Sequence, residues 1–221
     1  MIATFFDFNG VLVDDEHVHL QAYRAALAPR GIPISDAAYA ERYLGFDDAG
    51  AFRAILEDAG ESPSDDDVRA LVEAKKPEYM ALIATSLKVF PGARELLRRR
   101  ALRGPVAIVS GALEHEILYC LGVMGLLDLV AFVVSAEHAP RCKPDPQGYL
   151  IALTRLQHLS SETPAVVLED SLEGIRSAKA AGLRCIAVAH TYPVDALISE
   201  GADAVATTLD EVTDALLDGA P

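Results

Sequence analysis

The stretch "IATFFDFNGVLVD" (residues 2–14) decides how the rest of the chain is read. Its first five residues are an apolar run that reads as a short buried strand, and the run ends on an acid, Asp7. Gly10 then supplies a turn. An acid at the carboxyl end of a buried strand, followed by a glycine turn, has the layout of a reaction centre. Asn9 stands where a second acid is expected.

Outward from this stretch, residues 16–83 read as mostly helical and acidic. Apolar residues fall at helical spacing in Leu20, Tyr23, Ala26 and Leu27, and again in Phe52, Ile55, Leu56 and Ala59. Gly31-Ile32-Pro33 and Gly60-Glu61-Ser62-Pro63 punctuate the block. Ser64 before Asp65, Asp66 and Asp67 reads as a solvated helix start, because acids favour the positive end of a helix.

From about residue 88 the rhythm changes. "PVAIVS" (105–110), "LVAFVVS" (129–135), "AVVLED" (165–170) and "RCIAVA" (184–189) read as buried strands, with "ADAVA" (202–206) as a short last one. Helical patterns lie near 92–101, 112–123, 146–157, 171–181 and 209–218. Strands apolar on both faces, alternating with helices, indicate a parallel sheet covered by helices. The expected fold is α/β: a Rossmann-like parallel sheet core, residues 1–14 and 84–221, with an inserted α-helical cap, residues 15–83. Hinges near 14–17 and 82–90 and a site between core and cap follow from that reading.

The net charge of −14 argues against nucleic acid as the main partner, since phosphate backbones are held by clustered Lys and Arg. A small anion at a local positive site is compatible with it. Cys120, Cys142 and Cys185 are widely spaced and form no metal-ligand pattern, which indicates reduced thiols and a cytoplasmic location. The apolar run at the N-terminus has no basic region before it and ends at Asp7, so it is read as neither a signal peptide nor a membrane span. A monomer or weak dimer is expected. His115, His138, His158 and His190 lack ligand spacing and are assigned no chemistry.

In an open parallel sheet, ligands bind outside the carboxyl ends of the strands. The strand ends here carry Asp7 and Asn9, then Ser110 and Gly111, then Glu169 and Asp170. Lys143 follows a loop after the third strand. Neighbouring carboxylates repel unless a cation intervenes, so Asp7, Glu169 and Asp170 suit Mg²⁺, a hard ion that prefers oxygen. A hydroxyl, a lysine and loop N–H groups suit the oxygens of a phosphate. Together they suit phosphoryl transfer to an aspartate.

"DFNGVLVD" (7–14), "VSGA" (109–112), "CKPDP" (142–146) and "LEDSLEGI" (168–175) resemble, in order, the four motifs of the haloacid dehalogenase-like hydrolase superfamily. The resemblance covers essentially the whole chain and is strongest to the subgroup of β-phosphoglucomutase and phosphoglycolate phosphatase, in which a helical cap follows the first motif. It implies that Asp7 is the nucleophile of an aspartyl-phosphate. The Asn9 backbone carbonyl, with Asp7 and Asp170, would ligate Mg²⁺, and Glu169 would lie in or beside the metal shell. Ser110 and Lys143 would hold the phosphoryl group, and Gly10 would make the turn.

The departure from the family pattern is Asn9, where phosphatases and phosphomutases carry the general acid–base aspartate. An amide donates and accepts hydrogen bonds but exchanges no proton at useful pH. General acid–base catalysis is typically worth about 10²–10⁴-fold. Three readings stay open: leaving groups already stable as anions, a substitute among Asp14, Asp15 and His19, or an engineered change. Dehalogenase chemistry, which needs no metal, fits poorly with the Glu169-Asp170 pair. Phosphonoacetaldehyde hydrolysis fits poorly because no cap lysine appears before Lys75. In the mutase relatives a lysine at the place of Lys75 contacts substrate, and His19 matches a position near the hinge. Their arginine anchor for a second phosphate is replaced here by Asp48, which argues against a mutase. The expected activity is a Mg²⁺-dependent phosphohydrolase acting on a small phosphorylated metabolite. The alternative is a catalytically impaired phospholigand-binding or regulatory protein.

Overall fold

In a computed structural model the described residues are 1–160 and 163–219. Of the span 84–221 expected for the core, residues 161–162 and 220–221 therefore lie outside the description. The chain divides into an α/β unit, Met1–Asp14 with Val89–Pro221, and a helical unit, Asp15–Lys88.

In chain order, β1 (Ala3–Phe6) leads into the helical unit. That unit contains α1 (Glu16–Leu27), the short α2 (Asp36–Ala38), α3 (Asp48–Asp58) and α4 (Asp65–Ser86). The α/β unit resumes with α5 (Ala93–Ala101), β2 (Val106–Val109), α6 (Glu114–Met124), β3 (Phe132–Val134) and α7 (Gln147–Leu159). It continues through β4 (Ala165–Glu169), α8 (Leu172–Ala180), β5 (Arg184–Val188), α9 (Val194–Ser199), β6 (Ala204–Ala206) and α10 (Asp214–Asp218).

Among the described residues six strands form one parallel sheet in the order β3-β2-β1-β4-β5-β6. β1 sits in the middle although its neighbours begin some hundred residues later. Phe5 and Phe6 point to opposite faces, and both are fully buried. Each such side chain contributes roughly 1.5–3 kcal/mol. This burial on both faces explains why β1 reads as an unbroken apolar run. α7 packs on β2 and β3, and α8 on β4 and β5. The order reverses between β1 and β4, so their carboxyl ends flank the crevice of a doubly wound sheet.

In the helical unit, α1 packs along α4, and Tyr23, Leu27, Phe52, Leu56 and Leu71 belong to its core. The start of α4 is a capping box. The Ser64 hydroxyl accepts from Asp67 N–H, and the Asp67 carboxylate accepts from Ser64 N–H. The acidic run 65–67 is thus a helix start, as its composition indicates.

Three local expectations are corrected. The apolar run 129–135 yields only β3, because Leu127–Leu129 coil into a 3₁₀ turn and the ladder begins where Phe132 meets Ala107. The expected helix at 209–218 is split. Leu209–Glu211 form a 3₁₀ turn, Glu211 folds back onto Thr207, and Thr213 starts α10 afresh by accepting from Leu216 N–H. Finally α9, short and with a single buried residue, Leu197, carried too little apolar periodicity to be read. Among the described residues no helix is long and apolar enough to cross a membrane.

Candidate active site

The site is built at the carboxyl ends of β1 and β4. Asp7 extends the β1 ladder by one bond, its N–H donating to Leu168 O at 2.9 Å. The chain must then turn sharply beside Asp170. Gly10 has φ +75°, and a Cβ placed on it would lie 2.0 Å from Asp170 Oδ2. Only glycine fits both the backbone angle and the approach. Gly10 N–H donates to Val13 O, and the N–H groups of Leu12 and Val13 donate to Phe8 O. The loop is anchored by Phe8, Val11, Leu12 and Val13, all fully buried.

Glu169, the last residue of β4, has no exposed surface. Its Oε1 accepts from Lys143 Nζ at 2.5 Å and from the Tyr149 hydroxyl at 2.9 Å. Its Oε2 accepts from the N–H groups of Asp170 and Ser171 and from the Ser171 hydroxyl. That hydroxyl in turn accepts from Gly174 N–H and caps α8. A Cβ on Gly174 would stand 1.9 Å from Glu169 Oε1. The cap of α8 is therefore Ser171, while Asp170 accepts from the Thr191 hydroxyl.

Lys143 joins the two strand ends, its Nζ also donating to Asp7 Oδ1 at 2.7 Å. Burial opposes its charge, but Asp7 and Glu169 outweigh burial and hold the ammonium protonated. One lysine faces three carboxylates. Burial pushes the Asp7 carboxyl up to about 7 against the pull of Lys143, and the Glu169 charge adds to the rise. Asp170 is held well above the ordinary carboxyl range by burial, then by Glu169 and Asp7. Asp7, Glu169 and Asp170 each present an oxygen within 4.8 Å of the others. Buried oxygens so crowded, with a deficit of positive charge, are a donor set that fits a hard divalent cation.

Ser110 follows β2 and its N–H donates to Val134 O. Its hydroxyl accepts from Ala112 N–H and lies 3.5 Å from Asn9 Oδ1, while the cap position of α6 is Leu113. Ser110, Gly111, Cys142, Lys143 and Tyr149 line one small pocket. The structure thus brings Asp7, Asn9, Ser110, Lys143, Glu169 and Asp170 together from segments up to 163 residues apart. Lys75 and His19 belong to the helical unit. There Lys75 is fully buried, donates to His19 Nδ1 at 2.7 Å and pairs with Asp48.

Sequence reading missed Tyr149, His190 and Thr191. Tyr149 is masked by the apolar pattern of α7. His190 and Thr191 follow β5, and extending the strand-end rule to that strand would have found them. His190 Nδ1 lies 2.8 Å from Gly10 O, and its ring stacks on Phe90 with centroids 3.9 Å apart.

Comparison with known proteins gives a consistent result. The chain is 29% identical over 212 residues to the validoxylamine A 7'-phosphate phosphatase of Streptomyces hygroscopicus subsp. limoneus, spanning 94% of this chain and 93% of that one. It is 29% identical over 208 residues to a phosphorylated carbohydrates phosphatase of Thermotoga maritima, spanning 93% and 94%. The crystal structure of CbbY from Rhodobacter sphaeroides in complex with phosphate superposes with a TM-score of 0.86 at 25% identity, covering 99% of this chain and 100% of that one. The family model of haloacid dehalogenase-like hydrolases matches residues 3–182, and with the sheet order and strand-end chemistry described above, the chain belongs to that family.

Proposed function

We propose that this hydrolase is a Mg²⁺-dependent phosphatase that cleaves a small phosphorylated carbohydrate through an aspartyl-phosphate on Asp7. The observation that carries the reading is Lys143 Nζ bridging Asp7 and Glu169 beside Asp170. The relatives named for phosphorylated carbohydrates support the substrate class.

The cation would be held by the Asp7 and Asp170 carboxylates and the Asn9 carbonyl, with Glu169 beside them. Bound there, Mg²⁺ would neutralise carboxylate and phosphoryl charge so that an anion can attack an anion. Asp7 attacks phosphorus, the ester P–O bond breaks, and the leaving oxygen departs with the bonding pair. Lys143 orients the Asp7 oxygen and offsets charge on the phosphoryl group, while Ser110 and Gly111 hold its other oxygens. Water then attacks phosphorus, the Asp7–phosphoryl bond breaks, and inorganic phosphate leaves. Glu169, with its two oxygens spent on Lys143, Tyr149 and the start of α8, fixes the ammonium in place. A cytoplasmic location and a monomeric or weakly dimeric state belong to the same proposal, on composition and cysteine usage.

Asn9 sets the limit on this chemistry. Its amide lies beside Ser110 and supplies hydrogen bonds but no proton. Aryl and acyl phosphates, whose leaving groups are stable as anions, are therefore expected to turn over faster than alkyl phosphates. Asn9→Asp should raise turnover of alkyl phosphates by about 10²–10⁴-fold and of p-nitrophenyl phosphate much less. The same residue favours a second reading, a phospholigand-binding protein with little turnover. Phosphate binding without Mg²⁺-dependent release from any ester would select the second reading over the first.

A further inference from the structure

The dipeptide His190-Thr191 touches both arms of the acidic site. On the β1 arm, Gly10 O lies 2.8 Å from His190 Nδ1. A carbonyl only accepts, so Nδ1 carries the proton and donates. The His190 ring lies flat on Phe90, 15° from parallel, and Phe90 N–H donates to Leu12 O in the same loop. On the β4 arm, the Thr191 hydroxyl donates to Asp170 Oδ2. Two adjacent residues at the end of β5 thus hold the turn that follows Asp7 and the rotamer of Asp170.

The approach they hold is close: a single methyl group on Gly10 would collide with Asp170. Before the turn, the strand ends are joined by Asp7 N–H donating to Leu168 O, and Lys143 reaches Asp7 and Glu169. Burial keeps the imidazole below its ordinary range, so at neutral pH the ring is an uncharged donor that adds nothing to the site's charge.

We propose that His190 and Thr191 are positioning residues that set the spacing between the Asp7–Gly10 turn and Asp170, and so determine affinity for the divalent cation. This rests on the Mg²⁺ reading above. Hydrogen bonds to metal-ligating groups typically change metal affinity by about 10–100-fold when removed.

The test uses two matched pairs in the full chain. His190→Phe keeps a ring over Phe90 and deletes the donor, while His190→Asn returns an N–H near the Nδ1 position. Thr191→Val keeps the shape and deletes the hydroxyl, while Thr191→Ser returns it. Mg²⁺ affinity is read by calorimetric titration without substrate, alongside the melting temperature. Expected are a rise in the Mg²⁺ Kd of about 10–100-fold for His190→Phe and Thr191→Val, restoration in His190→Asn and Thr191→Ser, and kcat recovered at saturating Mg²⁺. Unchanged Kd in both deletions, with the parent chain binding Mg²⁺, overturns the positioning role and leaves the phosphatase reading standing. A parent chain that neither binds Mg²⁺ nor needs it for turnover overturns both. If His190→Phe does not fold, the Thr191 pair decides alone.

Discussion

The acidic cluster of the α/β unit and the polar cluster of the helical unit both hold a lysine against carboxylates, and they differ in balance. In the first, Lys143 serves Asp7 and Glu169 while Asp170 stands beside them. Negative charge is in excess, and the carboxyls of Asp7 and Asp170 are pushed up rather than down. In the second, Lys75 pairs with Asp48, donates to His19 and lies 4.4 Å from the centroid of the Tyr23 ring. Tyr23 donates to Asp48, and Tyr79 donates to Asp15. Because an ammonium only donates, His19 Nδ1 must accept, which leaves its proton on Nε2, on the side of Asp15. Burial would raise Asp48, yet Lys75 holds it below its ordinary value. A cluster short of positive charge is arranged to take up a cation. A cluster in which the lysine has its own carboxylate, and tyrosine hydroxyls donate to the carboxylates, is arranged to hold helices.

The sharpest way to break this contrast is to delete one lysine-paired aspartate from each. Asp7→Ala should abolish turnover, by about 10⁴-fold or more if Asp7 is the nucleophile. It should leave the melting temperature unchanged or higher, since the deletion leaves Lys143 paired with Glu169. Asp48→Ala should do the reverse to stability. It strands a fully buried ammonium and should cost about 3–5 kcal/mol in urea unfolding. Equal losses of stability in the two variants would end the distinction.

A smaller effect tests the acidic site alone. Gly174→Ala forces a methyl group into the Glu169 carboxylate and should cost about 1–3 kcal/mol by overpacking. It should also lower kcat more than it raises KM, because Glu169 aligns Lys143. A normal kcat in a folded Gly174→Ala chain would show that this alignment does not matter.

The smallest effect is pH dependence in the helical unit. Asp48 has a folded pKa below its unfolded value, so its contribution is fully present above about pH 4, the ordinary range of an aspartate. It is lost as pH falls through the lower folded value. Acid unfolding followed by circular dichroism should therefore soften in Asp48→Asn, which has no such charge to lose. An unchanged acid transition would mean that the Lys75–Asp48 pair is energetically idle.

Much of the site could be read before folding was considered. Asp7, Ser110, Glu169 and Asp170 each end an apolar run, and a parallel sheet puts such ends on one edge. Other features were hidden because their signal is not local. His190 and Thr191 look like any polar pair after a strand. Their role exists only because β5 lies next to β4 and its end reaches Gly10 and Asp170. The helix after β2 starts at Glu114, later than the pattern near 112–123 showed, so its cap position is Leu113. Asp48 read as the absence of an arginine, whereas in the fold it is the partner of a lysine 27 residues away.

The order of residues was enough to define the α/β class, the strands, the helical block after β1 and the acids at strand ends, because side-chain periodicity and turn chemistry act over a few neighbours. Packing in three dimensions settled the strand order, which donor meets which oxygen, and which carboxyls are raised or lowered. Those properties depend on desolvation and on charges brought from distant segments, and no short stretch of the chain contains them.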